Sequence, residues 1–412
     1  MRTPRLWIGL TIAFACKSDP PPPPTPNPAK DEALVEAAPH EPAASPRTAG
    51  SNPDSDRKHT VVFGDRTSQG YLLLIDESRL ASAPTREELD ALVRREFGAA
   101  AEEGELALLR QLIATEPHDT QLDPAKLNFE EPESLAQAVE NSEGERRGDL
   151  LGLHIKLFDR AKEPGLVPAE ALADPIATRD LDQSERESIE TRTRVLLLRA
   201  DYRNQFDVRG LRLLQALVRL VAQKYDALIF DPDTLETRGE NKFTERRLTA
   251  NLANVVDQLA VIPFKDPDHP GRVRLSTRGM RRFGLPDLEL TGLPPKPETL
   301  QRATDLIAGL ARVLIKEGEV DELGIAVEAP ALIEVTRREV DAAYADRGER
   351  LPPRCAGCPE RTSVHLMRRP ERDTDTHEHV TVGVTAPRNQ SDEANFDQSK
   401  WAEKAIMDLF GE

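Results

Sequence analysis

Two aspartates, Asp231 and Asp233, follow directly on the apolar run DALIF at residues 226–230. Carboxylates at the C-terminal end of a strand are held in fixed positions, which suits a divalent cation or general-base chemistry. The spacing is not that of a calcium loop, because Leu235 stands at its fifth position and Glu236 where glycine is required. The plain structural alternative is a turn around Pro232, with the aspartates accepting backbone N–H groups. Further along, STRGMRRFGLPDLEL (276–290) gathers Arg278, Arg281 and Arg282 at a turn. That spacing suits an anion, and its alternative is chain punctuation with a solvated basic face. No GxSxG elbow, phosphate-binding loop, HExxH or dinucleotide fingerprint occurs in the chain.

A second constellation lies in RCAGCPERTSVHL, residues 354–366, where Cys355 and Cys358 form a CxxC. Pro359 stands where a haem-attachment motif needs histidine. The spacing resembles a thioredoxin-like redox site. That site requires a strand-to-helix junction, whereas prolines on both sides of this CxxC predict a loop. Zinc is the third option, with His377 and His379 of THEH completing a Cys355/Cys358/His377/His379 set and His365 as a substitute ligand. The acids Glu371, Asp373, Asp375 and Glu378 beside those histidines offer weak cation binding or a solvated loop.

The elements that must position these groups predict an α+β fold, a layered mixed sheet with packed helices. VVF (61–63) and YLLLID (71–76) read as strands joined by a GDRTSQG turn. Helical periodicity runs over residues 85–97, 103–113, 132–140, 207–225, about 298–315 and 401–410. LGLHIKL (151–157) alternates as a half-buried strand with His154 and Lys156 on its polar face, so His154 carries no catalytic expectation. VLLL (195–198) suggests a central strand, and DALIF, VVDQLAVIPF (255–264), VRLST (273–277) and VTVGVT (380–385) read as further strands. Within 276–290 a short helix capped by Thr277 ends at Gly284, and Pro286 leads into another strand. This stretch resembles a motif found in bacterial domains of unknown function, a likeness that implies no activity.

The N-terminus supplies an address. Arg2 and Arg5 precede the uncharged apolar run LWIGLTIAFA (6–15), the pattern of a secretory signal peptide. Ala13-Phe14-Ala15-Cys16 resembles the lipobox of bacterial lipoproteins, although Ala13 replaces the usual leucine. The resemblance implies cleavage before Cys16, diacylglycerol on its thiol, and anchoring to the outer membrane or cell surface rather than the inner membrane. Residues 17–57 contain 11 prolines in 41 positions and predict a disordered, partly polyproline II tether reaching on the order of 100 Å when extended. The expected organisation is a signal peptide at 1–15, lipidated Cys16 and tether at 16–57, a main α+β domain at 58–318, and a smaller C-terminal α+β region with the CxxC loop at 319–412. Export places Cys355 and Cys358 in an oxidising compartment, where a disulfide between them is the simplest outcome. A net charge of −17 and the absence of a basic stripe argue against nucleic acid as a partner. The chain therefore reads as a membrane-anchored binding or scaffolding lipoprotein without a cofactor, with an envelope protein as the expected partner class. The alternative is an exported metal-dependent or thiol-redox enzyme using Asp231/Asp233 or the Cys355/Cys358–His377/His379 region.

Overall fold

The structure, a computed structural model, describes residues 58–62, 66–117, 150–203, 209–249, 255–317, 319–320, 326–330, 332–344, 351, 353–372, 375 and 380–411. The signal peptide, Cys16, the tether and the helix expected at 132–140 lie outside the described residues, as do His377 and His379.

Two large sheets, each backed by a long amphipathic helix, and a three-stranded sheet in the order β1 (Lys58–Val62), β11 (Ala326–Pro330) and β10 (Glu319–Val320) build an α+β fold. The first has five antiparallel strands in the order β3 (Leu150–Asp159), β4 (Arg194–Arg203), β2 (Arg66–Ile75), β5 (Leu228–Asp231) and β6 (Glu236–Arg238). The ladder between β2 and β4 runs from Arg66↔Arg203 to Ile75↔Arg194. Helix α3 (Arg209–Tyr225) buries Leu211, Leu214, Leu217, Val218 and Val221, the stripe its sequence period dictates. Beside it pack α1 (Arg86–Phe97) and α2 (Gly104–Ala114). Helix α1 begins with a full capping box, Thr85 against Glu88.

The second sheet has six strands in the order β12 (Ile333–Thr336), β13 (Arg361–Arg368), β14 (Thr381–Thr385), β9 (Asp287–Leu293), β8 (Val273–Arg278) and β7 (Ala260–Lys265). Only its β14–β9 pair is parallel. Helices α4 (Pro297–Glu317), α5 (Arg337–Ala343) and α6 (Gln398–Phe410) pack with it. Residues from both sides of position 318 build this one sheet, and Asp54–Glu412 cluster as one compact unit.

Three local expectations change. The stretch before Tyr71 is not a hairpin turn. Strand β2 starts at Arg66 and takes Thr67, Gln69 and Gly70 into its ladder, while β1 (Lys58–Val62) pairs with β11 (Ala326–Pro330). Of VVDQLAVIPF only the last five residues are strand, the start of β7 (Ala260–Lys265), because Val255–Asp257 forms a 3-10 turn. Thr277 is not a helix cap. It is buried, donates to Asp287 Oδ1 at 2.8 Å and accepts from the Leu288 N–H at 2.8 Å. The cap position of the Met280–Phe283 turn is Gly279, whose φ of +106° favours glycine.

Candidate functional site

Asp231 ends β5, and Asp233 sits in the turn to β6, so both occupy the strand-end positions their spacing predicts. The arginine turn 280–283 of the second sheet faces them. Arg282 places Nη2 3.1 Å from Asp231 Oδ1 and 3.0 Å from Asp233 Oδ2, and its own exposure is 0%. Arg247 adds Nη2 at 2.8 Å from Asp231 Oδ2, and Arg281 approaches Asp233 with Nη2 at 2.5 Å and Nε at 3.2 Å. Asp231 Oδ1 also accepts from the Asp233 and Thr234 N–H groups, the turn geometry expected of this sequence. Burial alone would raise both carboxyl pKa values. The guanidiniums of Arg282 and Arg247 beside Asp231, and of Arg281 and Arg282 beside Asp233, outweigh it and hold both below the usual carboxylate range.

The two separate candidates, a carboxylate pair for a cation and an arginine turn for an anion, are thus halves of one buried ionic network. Its remaining contacts tie the sheets together. Thr67 Oγ1 donates to the Arg281 carbonyl at 3.0 Å and Tyr202 Oη to the Arg282 carbonyl at 3.1 Å. Gln258 Oε1 accepts from Arg247 and Gln215. Arg278, the third arginine of the motif, is half-buried at the end of β8. Asp287 adjoins the network and has no arginine hydrogen-bonded to it among the described residues. Burial pushes its pKa up to about 7, against the lowering effect of the Thr277 hydroxyl and the Met280 N–H.

Cys355 and Cys358 stand at disulfide distance, with Cα atoms 5.7 Å apart, in the loop before β13. The loop rests on the end of α6, where a Cβ built at Gly411 would lie 2.7 Å from Cys355 Cβ. Arg302 of α4 donates to the Gly411 carbonyl at 2.8 Å. His365, the substitute ligand, is buried in β13 and accepts from Arg388 Nε at 3.2 Å. No cluster of three or more His, Cys, Asp or Glu ligands exists among the described residues. Of the acidic run, Asp375 pairs with Arg369 at 2.6 Å. Arg369 and Arg372 also converge with Arg274 on the fully buried Glu289.

One polar constellation escaped the sequence reading. On the open face of the first sheet, Ser68 Oγ donates to Asp201 Oδ1 at 2.7 Å, and Asp201 Oδ2 lies 3.0 Å from His154 Nε2. Arg199 Nη2 meets the same His154 nitrogen at 3.0 Å. The carboxylate separates serine from histidine, so this order is not that of a nucleophilic triad, in which histidine must face the hydroxyl. Beside it opens a cavity of about 540 Å³, lined by His154, Lys156, Phe158, Leu197 and Arg199 together with Arg86. The signal was present in the alternation of β3 and β4, whose register sets His154 opposite Arg199 and Lys156 opposite Leu197. No protein family, curated protein or solved structure matches this chain.

Proposed function

We propose that the chain is a lipid-anchored protein of the bacterial envelope whose folded body binds or scaffolds. One observation carries the preference for binding over catalysis: the strand-end carboxylates and the arginine turn, the groups best suited to chemistry, neutralise one another in the core. Three guanidiniums cover the carboxylate oxygens that a cation would need, and burial excludes a substrate. The address is supported by Arg2, Arg5, the apolar run 6–15 and the small residues before Cys16. Two or more acyl chains at Cys16 would hold the protein stably at the membrane. A Cys355–Cys358 disulfide agrees with export, since an oxidising compartment preserves it.

Two measurements test this reading. Cys16→Ser should move the protein from the membrane fraction to the soluble fraction and abolish incorporation of labelled palmitate; unchanged partition overturns the anchor. Metal analysis of purified protein should find none in stoichiometric amount, and thiol titration no free Cys355 or Cys358. Stoichiometric zinc lost in Cys355→Ser would overturn the binding reading in favour of a metal centre.

A further inference from the structure

The cavity beside β3 joins two unlike halves. Side chains alternate along β3 and β4, so His154, Lys156 and Phe158 share one face with Arg199, Leu197 and Val195, paired in that order. At one end, Phe158, Val195 and Leu197 belong to a hydrophobic cluster with Leu72, Leu74 and the covering segment 166–189. At the other end that cover is lacking among the described residues, and His154, Lys156 and Arg199 border the opening. Gly70, next to Arg199 on β2, keeps this floor low: a Cβ there would already lie 3.3 to 3.4 Å from Leu197 and Arg199 side-chain atoms.

The polar end is underfilled. His154 Nε2 faces an acceptor, Asp201 Oδ2, and a donor, Arg199 Nη2, both at 3.0 Å. One ring nitrogen either donates or accepts, so whichever it does leaves the other neighbour unmatched. With Nε2–H directed at the fully buried Asp201, the Nη2 of Arg199 is left without an acceptor on His154. The Arg199 Nε, also buried, makes no hydrogen bond among the described residues, although it forms an ion pair with Asp201 Oδ1 at 3.4 Å. Lys156 is exposed, with Nζ 4.7 Å above the Phe158 ring. Arg86, by contrast, is committed: its nitrogens serve the carbonyls of Ile113, Thr115 and Leu153 and the carboxylate of Glu116. Glu116 is therefore matched by Arg86, and the fully buried Asp201 is flanked by His154 and Arg199, so the exposed Lys156 is the uncommitted cation at the opening among the described residues, in a molecule that is otherwise acidic.

The geometry points to a binding site for a small organic anion with an apolar body: the carboxylate meets Arg199 and Lys156, and the body lies on Phe158 and Leu197. A cavity of about 540 Å³ is of the size that such ligands fill. A guanidinium and an exposed ammonium on one rim are suited to a carboxylate, which charge-assisted hydrogen bonds hold more strongly than neutral ones. The assignment rests on the binding reading above and adds a ligand class to it.

The test is calorimetric titration of the full-length protein with 4-phenylbutyrate, using the neutral 4-phenylbutyramide as its isostere. Saturable 1:1 binding of the acid and at least tenfold weaker binding of the amide are expected. Lys156→Met, at an exposed position that leaves folding intact, should weaken the acid about tenfold, the effect of removing one charge-assisted contact. Arg199→Met should weaken it at least as much and leave the affinity for the amide unchanged. Absence of saturable binding at millimolar acid, equal affinity for acid and amide, or wild-type affinity in Lys156→Met would each overturn the assignment. Such a failure is distinguishable from failure of the binding reading, which is decided by the metal and thiol measurements on the same protein.

Discussion

Arg282 is the residue on which most of the buried charge depends. It touches both Asp231 and Asp233, and its guanidinium is fully enclosed. Arg282→Met would leave two carboxylates in the core with less compensation, so a loss of about 3 to 5 kcal/mol in urea unfolding is expected. Arg282→Lys should recover only part of it, because an ammonium cannot reach both carboxylates as the planar fork does. Asp287 acts in the opposite sense. With a folded pKa near 7 and an unfolded value near 3.9, it favours the folded state fully below about pH 4, and that contribution is lost as pH rises through 7. Relative to Asp287→Asn, the wild type should lose on the order of 4 kcal/mol between pH 4 and 8. A parallel pH dependence of the two proteins' urea midpoints would refute this. For Asp231 and Asp233, whose folded values are depressed, the contribution is present above about pH 4 and lost only as acid protonates them. The sequence showed every one of these side chains but not their pairing, which joins residues about 50 positions apart. Each half of the network read as a site only because its partner was out of view.

At the level of elements, the amphipathic stripes of α1, α3 and α4 were legible because a 3.6-residue apolar period has few other uses. So was β3, with its strict alternation. What failed was pairing over distance. Lys58 of β1 meets Pro330 of β11, a register that no local pattern encodes. GDRTSQG has the composition of a turn, yet its last five residues are strand, because Thr67 and Gln69 are buried there and Gly70 accommodates Leu197 and Arg199. The seat of α3 on β4 offers a prediction at this scale. A Cβ at Gly210 would fall 2.3 Å from Tyr202 Cγ, and Tyr202 holds the Arg282 carbonyl. Gly210→Ala gains about 1 kcal/mol in helix propensity. It should nonetheless lower the urea midpoint, since overpacking costs about 1 to 3 kcal/mol and the Tyr202–Arg282 contact is disturbed as well. A higher midpoint would show that Tyr202 has room to move.

For the molecule as a whole, position 318 looked like a boundary between a main domain and a smaller region. Instead β14 is the parallel neighbour of β9, and α6 buries Trp401, Ala402, Ala405, Ile406, Leu409 and Phe410. A chain ending at residue 318 would expose the surfaces of β9 and α4 that these elements cover. It should lack the single cooperative urea transition expected of the full-length protein. A fragment 58–318 that unfolds cooperatively with wild-type midpoint would restore the boundary. The parallel pair explains why the sequence suggested one: it can form only through a long crossover, and the crossover between β9 and β14 contains α4, α5, β12 and β13.

The ionic joint also has a consequence for recognising relatives. Asp231, Asp233, Arg247, Arg281 and Arg282 are fixed by one another rather than by a ligand, so losing any one alone is strongly disfavoured. In chains descended from a common ancestor, these positions should change together, acids and arginines vanishing as a set in favour of apolar residues. The pair of short segments FDPD and RGMRRFG would then serve as a fingerprint of this architecture, even where the surrounding sequence has drifted past detection.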